Sequence, residues 1–246
     1  IYRDLLGRTV SPAVREQLRE TFSSGDLRLA GQQAVSTVIM ADIRGFTPIS
    51  AQTEPALLFA WLNEYFGRLV PIVTAHGGVV NKFDGDAVLA FFGILPTPQS
   101  PAESAQDACQ AAMEMIQSIE EFNRQREGQG LPPFHTGIGV HTGPVMAGGL
   151  GSSDRIHYTI IGDTVNTTQR LEALTRDLIE NSGILISSAT WDALGENQRM
   201  HFSLWSLGQF NVKGKVEQLE VFRLLPPEPI IQVEDVQEAA EHETDE

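Results

Sequence analysis

The chain is poor in cysteine, in positive charge and in long apolar runs. Its single cysteine, Cys109, cannot form a disulfide within the chain, so we expect a reducing compartment and place the protein in the cytoplasm. Its longest apolar run, AVLAFFGIL, is about half the length of a membrane span. The chain has 32 acidic residues and only 17 Lys and Arg, and this net charge of −15 argues against nucleic acid or an anionic membrane as a non-specific partner.

The two ends of the 246-residue chain differ from its middle. Residues 226–246 contain eight acidic residues and neither Lys nor Arg, a composition typical of a solvated, disordered tail. Residues 1–33 contain a helical pattern that begins at Ser11 and Pro12, a good cap and first helical position. Residues 34–225 are long enough and apolar enough for one sizeable core. We therefore expect an N-terminal helical segment, one domain and an acidic tail.

The stretch VVNKFDGDAVLAFFG predicts a β-hairpin. Two short apolar runs flank Asp84 and Gly85, and Asp-Gly between such runs is a strong hairpin signal because these turns favour positive φ. The prediction places Lys82 on the first strand and Asp86 at the start of the second.

The order of the elements around this hairpin predicts an α+β fold. A β-branched run ends in Asp42, a long helical pattern follows it, and after the hairpin come a second helix from Ser100 and another apolar strand. Strand, helix, hairpin, helix, strand is the ferredoxin-like βαββαβ core, here followed by further C-terminal helices and strands. In that topology Asp42 and Asp86 face each other across about 5 Å.

Two facing carboxylates repel each other unless a cation lies between them. Carboxylate oxygens suit Mg²⁺ or Mn²⁺, and two-metal phosphoryl-transfer sites hold their ions roughly 3.5–4 Å apart. The alternative is structural, because an Asp at a strand end is often a cap and Asp-Gly-Asp is often only a turn. Geometry alone leaves both interpretations open.

Two further stretches contain candidate phosphate contacts. After Asp42, Gly45 allows close backbone approach, and the following amides with Thr47 can point at an anion near the start of a helix. Asn166 and Arg170 lie four residues apart on one face of a helix that begins at Asp163. Without further information this second pair is equally consistent with a solvated helix surface.

Four motifs, in order and in register, give the chain a family resemblance. They are ADIRGFTPIS, NKFDGDAVLAFFG, GIGVHTGPVMAGGLG and YTIIGDTVNTTQRLE, and together they resemble the catalytic domain of class III nucleotidyl cyclases from about Val35 to Leu225. That fold is similar to the polymerase palm. The resemblance implies that residues 1–33 link an upstream sensor or membrane segment to the catalytic domain, as an alternative to simple packing.

The resemblance also implies a role for individual residues. The metal-binding residues would be Asp42, the main-chain carbonyl of Ile43, and Asp86, with two Mg²⁺ or Mn²⁺ ions per active site. The triphosphate contacts would be Gly45, Phe46, Thr47 and Lys213, where the alternative for Lys213 is a solvated hairpin lysine. Asn166 would orient the ribose, and Arg170 would stabilise charge on the α-phosphate. We add Arg155, which follows a glycine-rich predicted hairpin, as a further phosphate contact.

The residues that match the base-reading positions favour ATP as the substrate. Adenine has an acceptor at its ring nitrogen and donors at its amine, which Lys82 as donor and Thr159 as acceptor would complement. Guanylyl cyclases typically have Glu and Cys there. A threonine can also donate, so guanylyl cyclase activity stays open as an alternative. The predicted reaction is in-line attack of the ribose 3′-oxygen on the α-phosphorus, which gives cyclic AMP and pyrophosphate.

In the family, each active site takes residues from two protomers. The metal aspartates come from one chain, and the lysine, base-reading residue, Asn and Arg come from the other, so we expect a head-to-tail homodimer. The competing hypothesis is a non-catalytic nucleotide-binding or dimerisation module of the same fold. A diguanylate cyclase is disfavoured because the chain lacks a GGDEF-type signature.

Overall fold

The computed structural model describes residues 31–152, 156–211 and 218–226. Its strands are β1 (Gln32–Ile43), β2 (Val79–Asp84), β3 (Ala87–Phe92), β4 (Thr136–Gly151), β5 (Ile156–Ile161), β6 (Gly183–Ser187), β7 (Ser203–Phe210) and β8 (Leu219–Leu225). Its helices are α1 (Phe46–Gln52), α2 (Pro55–Ala75), α3 (Pro101–Gly128), α4 (Asp163–Leu178), α5 (Ser188–Ala193) and α6 (Glu196–Arg199).

The strands form one mixed sheet in the order β2-β3-β1-β4-β6-β8-β7, with β5 paired to β4. The strand β1 is antiparallel to both β3 and β4, and β2 and β3 form a hairpin. This is the predicted ferredoxin-like arrangement. The strands β6, β7 and β8 extend it beyond β4, with β6 parallel to β4, and they confirm the predicted C-terminal additions.

Helices α2 and α3 cover one face of the sheet and form the main core with it. Tyr65 and Leu69 of α2 and Met115 of α3 are fully buried in this cluster together with Phe134. By length and composition α2 could cross a membrane, a test that the core helix of a soluble protein also passes, and five of its 21 residues are buried in this structure. The sequence predicts that α3 starts at Ser100, and Ser100 is its N-cap, where its side chain accepts a hydrogen bond from the amide of Glu103.

The hairpin prediction is confirmed, but its turn lies one residue later than predicted. Asp84 pairs with Ala87, so the two-residue turn is Gly85-Asp86 and not Asp84-Gly85. Only Gly85, with φ of 63°, has positive φ. A glycine takes this conformation without steric cost, so the turn forms around the glycine and Asp86 lies within the turn.

The β4–β5 pair is also antiparallel, as the glycine-rich stretch predicts. The two residues predicted there and later as phosphate contacts, Arg155 and Lys213, lie outside the described residues. So do residues 1–30 and 227–246, which include most of the predicted helical segment and acidic tail.

Candidate active site

Asp42 and Asp86 come together at one end of the sheet. Asp42 is near the C-terminal end of β1, and Asp86 lies in the turn that leads into β3. Burial, followed by the hydrogen bond to Asp42 and the negative charge of Asp42, raises the pKa of Asp86 to about 7, although hydrogen bonds from the main-chain amides of Asp86 and Ile43 act in the opposite direction. A raised pKa in such a pair is the mark of two carboxyl groups that share a proton when no cation lies between them.

A third carboxylate and an arginine lie beside this pair, both on α4. The guanidinium Nη2 of Arg176 lies 2.5 Å from Asp42 Oδ2 and 3.8 Å from Glu172 Oε1. Glu172 is almost entirely buried, and burial, followed by the charge of Asp42, raises its pKa to about 7. The Glu172 Oε1 atom has no hydrogen-bond partner among the residues that the structure describes.

Arg44 completes the charged layer under the end of the sheet. Its Nη1 donates to the carbonyl of Ile179, burial lowers its pKa, and Glu172 is the principal charge that counteracts this lowering. Three carboxylates, those of Asp42, Asp86 and Glu172, therefore lie near the two arginines Arg44 and Arg176 at this end of the sheet. The described part of the chain contains no group of three His, Cys, Asp or Glu residues that could hold a metal. A cation here would thus bind Asp42, Asp86 and main-chain oxygen, all hard ligands that fit Mg²⁺ or Mn²⁺.

The chain after Asp42 turns sharply into α1. Gly45, with φ of 63°, occupies the N-cap position of α1, and no atom lies within 4 Å of where its Cβ would be. The backbone conformation, and not a close contact within the chain, is therefore what requires glycine. Phe46 packs edge-on against Phe134 with ring centroids 6.5 Å apart, so it anchors this turn to the core, while Thr47 lies in the first turn of α1.

A cavity of about 640 Å³ lies elsewhere in the chain, between β2, β5 and the start of α4. Three of the sequence-predicted residues line it, namely Lys82, Thr159 and Asn166. The other lining residues are Asn81, Leu89, Leu150, His157, Ile160, Ile161, Gly162, Asp163 and Val165. The walls are thus largely apolar with a few polar groups, which is typical of a small-molecule site.

Arg170 lies one turn after Asn166 on α4 but does not line the cavity. Its Nη1 is 4.0 Å from Asp163 Oδ1 and makes no hydrogen bond to any described residue. None of Asp42, Ile43 and Asp86 lines the cavity either. A single chain therefore presents two separate groups of predicted site residues.

Comparison with known proteins assigns the family. The family model of the adenylate and guanylate cyclase catalytic domain matches residues 30–225. The chain belongs to the class III nucleotidyl cyclases. This match covers both groups of site residues and the sheet that carries them.

The relatives of this cyclase domain include proteins named adenylate cyclase and a solved structure named a guanylyl cyclase. Adenylate cyclase 1 of Rhizobium meliloti is 32% identical over 86% of this chain, and the adenylate cyclase of Anabaena cylindrica is 34% identical over 76%. The chain spans only 30% and 36%, respectively, of those two proteins.

Solved structures of the family have the same fold. The adenylyl cyclase CyaB of P. aeruginosa matches with a TM-score of 0.73 and 30% identity, over 82% of this chain and 99% of that one. The guanylyl cyclase Cya2 matches with a TM-score of 0.70 and 33% identity, over 82% and 97%. Membership of the cyclase family is therefore established, but the similarity alone does not determine whether the substrate contains adenine or guanine.

Sequence reasoning missed four residues near the predicted site residues, namely Asn81, Arg44, Glu172 and Arg176. Of these, Asn81 hydrogen-bonds to Thr159 and Arg176 to Asp42. The only available signal was the four-residue spacing of Glu172 and Arg176 on the same helix as Asn166 and Arg170, which would have indicated an ordinary ion pair on the helix surface.

Proposed function

We propose that this domain is an adenylyl cyclase, which converts ATP to 3′,5′-cyclic AMP and pyrophosphate. The observation that carries the proposal is the cavity that Lys82, Thr159 and Asn166 share, at the start of the helix that also carries Arg170. A donor, a hydroxyl and an amide around one largely apolar space fit a purine and its ribose.

Each residue of the cavity has a distinct part in the proposed mechanism. Lys82 donates to the ring nitrogen of adenine, and Thr159 accepts a hydrogen bond from the adenine amine. Asn166 orients the ribose so that its 3′-oxygen stands in line with the α-phosphorus and the leaving pyrophosphate. Such positioning supplies a large part of the acceleration in phosphoryl transfer.

Arg170 meets the negative charge that develops on the α-phosphate. Its Nη1 makes no hydrogen bond to any residue in the described ranges, and a planar guanidinium follows a phosphate whose geometry changes. The remaining proposed triphosphate contacts are Gly45, Phe46, Thr47, Arg155 and Lys213. These contacts hold the leaving group while the ribose oxygen attacks.

Asp42, Asp86 and the Ile43 carbonyl would hold the two divalent cations. When bound, Mg²⁺ or Mn²⁺ lowers the pKa of the ribose 3′-hydroxyl and neutralises charge on the phosphates. The two aspartates fix this chemistry at the strand end, where their carboxylates converge.

We further propose that the active site forms between two chains in a head-to-tail homodimer. One chain contributes the metal aspartates and its partner contributes the nucleotide cavity with Arg170, because within one chain the aspartates do not line that cavity. Since this domain corresponds to about a third of the length of its curated relatives, an upstream sensor or membrane segment is part of the proposal for the whole protein.

Product formation by the purified chain tests this function. With ATP and Mg²⁺ or Mn²⁺ we expect cyclic AMP, with a rate that rises more steeply than linearly with protein concentration because the site needs two chains. GTP serves as the matched substrate and should give much less product. Metal-dependent ATP binding without any cyclic product would instead support the second candidate, a non-catalytic nucleotide-binding module.

Arg176 should compete with the metal for Asp42. Its side chain is 52% exposed and forms an ion pair with Asp42 and a longer one with Glu172, so it can leave Asp42 when a cation binds. Removal of this competing charge in Arg176→Ala should lower the dissociation constant for Mn²⁺ about two- to fivefold, a modest effect because the pair is partly solvated.

The Mn²⁺ affinity is measured without nucleotide, from the electron paramagnetic resonance signal of the free ion. The control is Arg124→Ala, which removes an equal charge from an exposed position on α3 and should leave the affinity unchanged. Weaker Mn²⁺ binding by Arg176→Ala would contradict the prediction and make Arg176 a support of the metal site.

A further inference from the structure

Asn81 lines the cavity and makes two side-chain hydrogen bonds, both to strand β5. Its Nδ2 donates to the main-chain carbonyl of Tyr158 at 3.2 Å, and its Oδ1 accepts from the Thr159 hydroxyl at 3.2 Å. The residue is only 9% exposed. Asn81 therefore bridges β2 to β5, two strands that are not neighbours in the sheet.

The orientation of the Asn81 amide follows from these partners. A carbonyl oxygen can only accept, so the side facing Tyr158 must be the NH₂ group, and Oδ1 must face Thr159. The opposite orientation would place two acceptors, Asn81 Oδ1 and the Tyr158 carbonyl, against each other. The main chain of β5 thus decides which atom of Asn81 the threonine meets.

This orientation determines how the Thr159 hydroxyl can act. A free hydroxyl can donate or accept a hydrogen bond. Here the single hydrogen of the Thr159 hydroxyl is donated to Asn81 Oδ1, and the Ile160 carbonyl is a more distant acceptor at 3.5 Å. Thr159 lines the cavity, and its hydroxyl has no second hydrogen to donate there, so only its lone pairs remain for a ligand. Thr159 is consequently an acceptor toward the cavity.

We propose that Asn81 is a positioning residue for base selection, which makes Thr159 an acceptor and so adds to the preference of the cavity for adenine over guanine. The inference rests on the proposed nucleotide-binding function. The adenine amine can donate to Thr159, whereas the oxygen at the same ring position of guanine can only accept. A guanine in the same pose would leave two acceptors facing each other, and such mismatches inside a site are strongly disfavoured.

The test compares Asn81→Leu with Asn81→Asp. Leucine has about the shape of asparagine but cannot accept a hydrogen bond, so the Thr159 hydroxyl becomes free to donate one to the guanine oxygen. We expect the ratio of kcat/KM for ATP to that for GTP to fall about tenfold, mainly through better use of GTP. Equilibrium binding of 3′-deoxy-ATP and 3′-deoxy-GTP, which cannot cyclise, should show the same fall.

The Asn81→Asp variant distinguishes a role in accepting the Thr159 hydrogen bond from a purely structural role in connecting β2 to β5. A carboxylate at position 81 still accepts a hydrogen bond from the Thr159 hydroxyl but cannot donate one to the Tyr158 carbonyl, so Asn81→Asp should keep the preference for ATP. A purely structural role of the bridge would lower the preference equally in both variants, and that result would overturn the inference. In a Thr159→Val background, Asn81→Leu should change the ratio no further.

The control for an Asn-to-Leu change is Asn197→Leu, an exposed position on α6, which contributes nothing to the cavity lining. Melting temperatures of all variants establish that they are folded. If the unaltered chain binds neither nucleotide, the proposed function fails. If it prefers ATP and Asn81→Leu keeps that preference, only the role of Asn81 fails, and a preference of the unaltered chain for GTP overturns both.

Discussion

Chains carrying Asp42→Asn and chains carrying Arg170→Ala should each be nearly inactive, yet an equal mixture should recover about a quarter of the original activity. Each change removes a group that meets charge in the transition state, and losses of about 10²–10³ are typical for such groups. In a shared site, however, the two defects fall on different halves. A mixed dimer therefore has one site with both groups intact and one site that lacks both.

The recovered fraction follows from random assortment of two chains in a symmetric dimer. About half of the dimers are mixed, and half of the sites in those dimers are intact, which gives about a quarter of the sites. The measurement is cyclic AMP formation after the two purified chains have been mixed and allowed to exchange. Dimer formation by each variant is checked by light scattering.

The matched control mixes Asp42→Asn with Asp86→Asn. Both changes lie in the same half of the site, so every site in the mixed dimer lacks one aspartate and no activity should return. Recovery in this control, or none in the first mixture although mixed dimers form, would show that the two halves do not complement each other across an interface. The separation of Asp42 from the cavity within one chain is the reason to expect complementation.

The elements of this fold that depend on local pattern could be predicted from the sequence. The hairpin, the start of α3 at Ser100 and the start of α4 at Asp163 are confirmed, since each is determined by residues close to one another in the chain. The turn position was wrong by one residue, because the choice between Asp84-Gly85 and Gly85-Asp86 depends on the register of β2 against β3. Cross-strand packing sets that register, and a single strand does not reveal it.

The contacts that could not be predicted join elements that are distant in sequence. Arg176 meets Asp42 because the end of α4 lies beside the end of β1, and the two residues are 134 positions apart. Asn81 meets Thr159 across strands that are 78 positions apart and not paired in the sheet. Such contacts need the crossing position of a helix or the curvature of a sheet, neither of which hydrophobic periodicity encodes.

The placement of α4 against β4 joins the fold to the proposed chemistry. Gly139 lies in the middle of the sheet, between Met40 of β1 and Leu185 of β6. A Cβ at this position would lie 2.4 Å from the main-chain nitrogen of Glu172 and 2.5 Å from the carbonyl of Thr168. Both atoms belong to the backbone of α4, so the helix can sit this close only because position 139 lacks a side chain.

Gly139→Ala should therefore destabilise the domain by about 3 kcal/mol, the range of strongly overpacked core substitutions. For a domain of this size that corresponds to a fall in melting temperature of about 10 °C. The control is Gly128→Ala at the end of α3, where no atom lies within 4 Å of the new Cβ. That change should leave stability equal or raise it by up to about 1 kcal/mol, because alanine favours a helix over glycine.

Activity should fall further in Gly139→Ala than its loss of stability explains. The helix that must move carries Asn166 and Arg170, and a displacement of about 1 Å in groups that position a reacting phosphate can cost about 100-fold in rate. The assay is run well below the new melting temperature, so that the chains are folded and the rate reports geometry. An unchanged melting temperature would contradict the close packing of α4 against β4. Full activity at reduced stability would contradict the proposed link between that packing and catalysis.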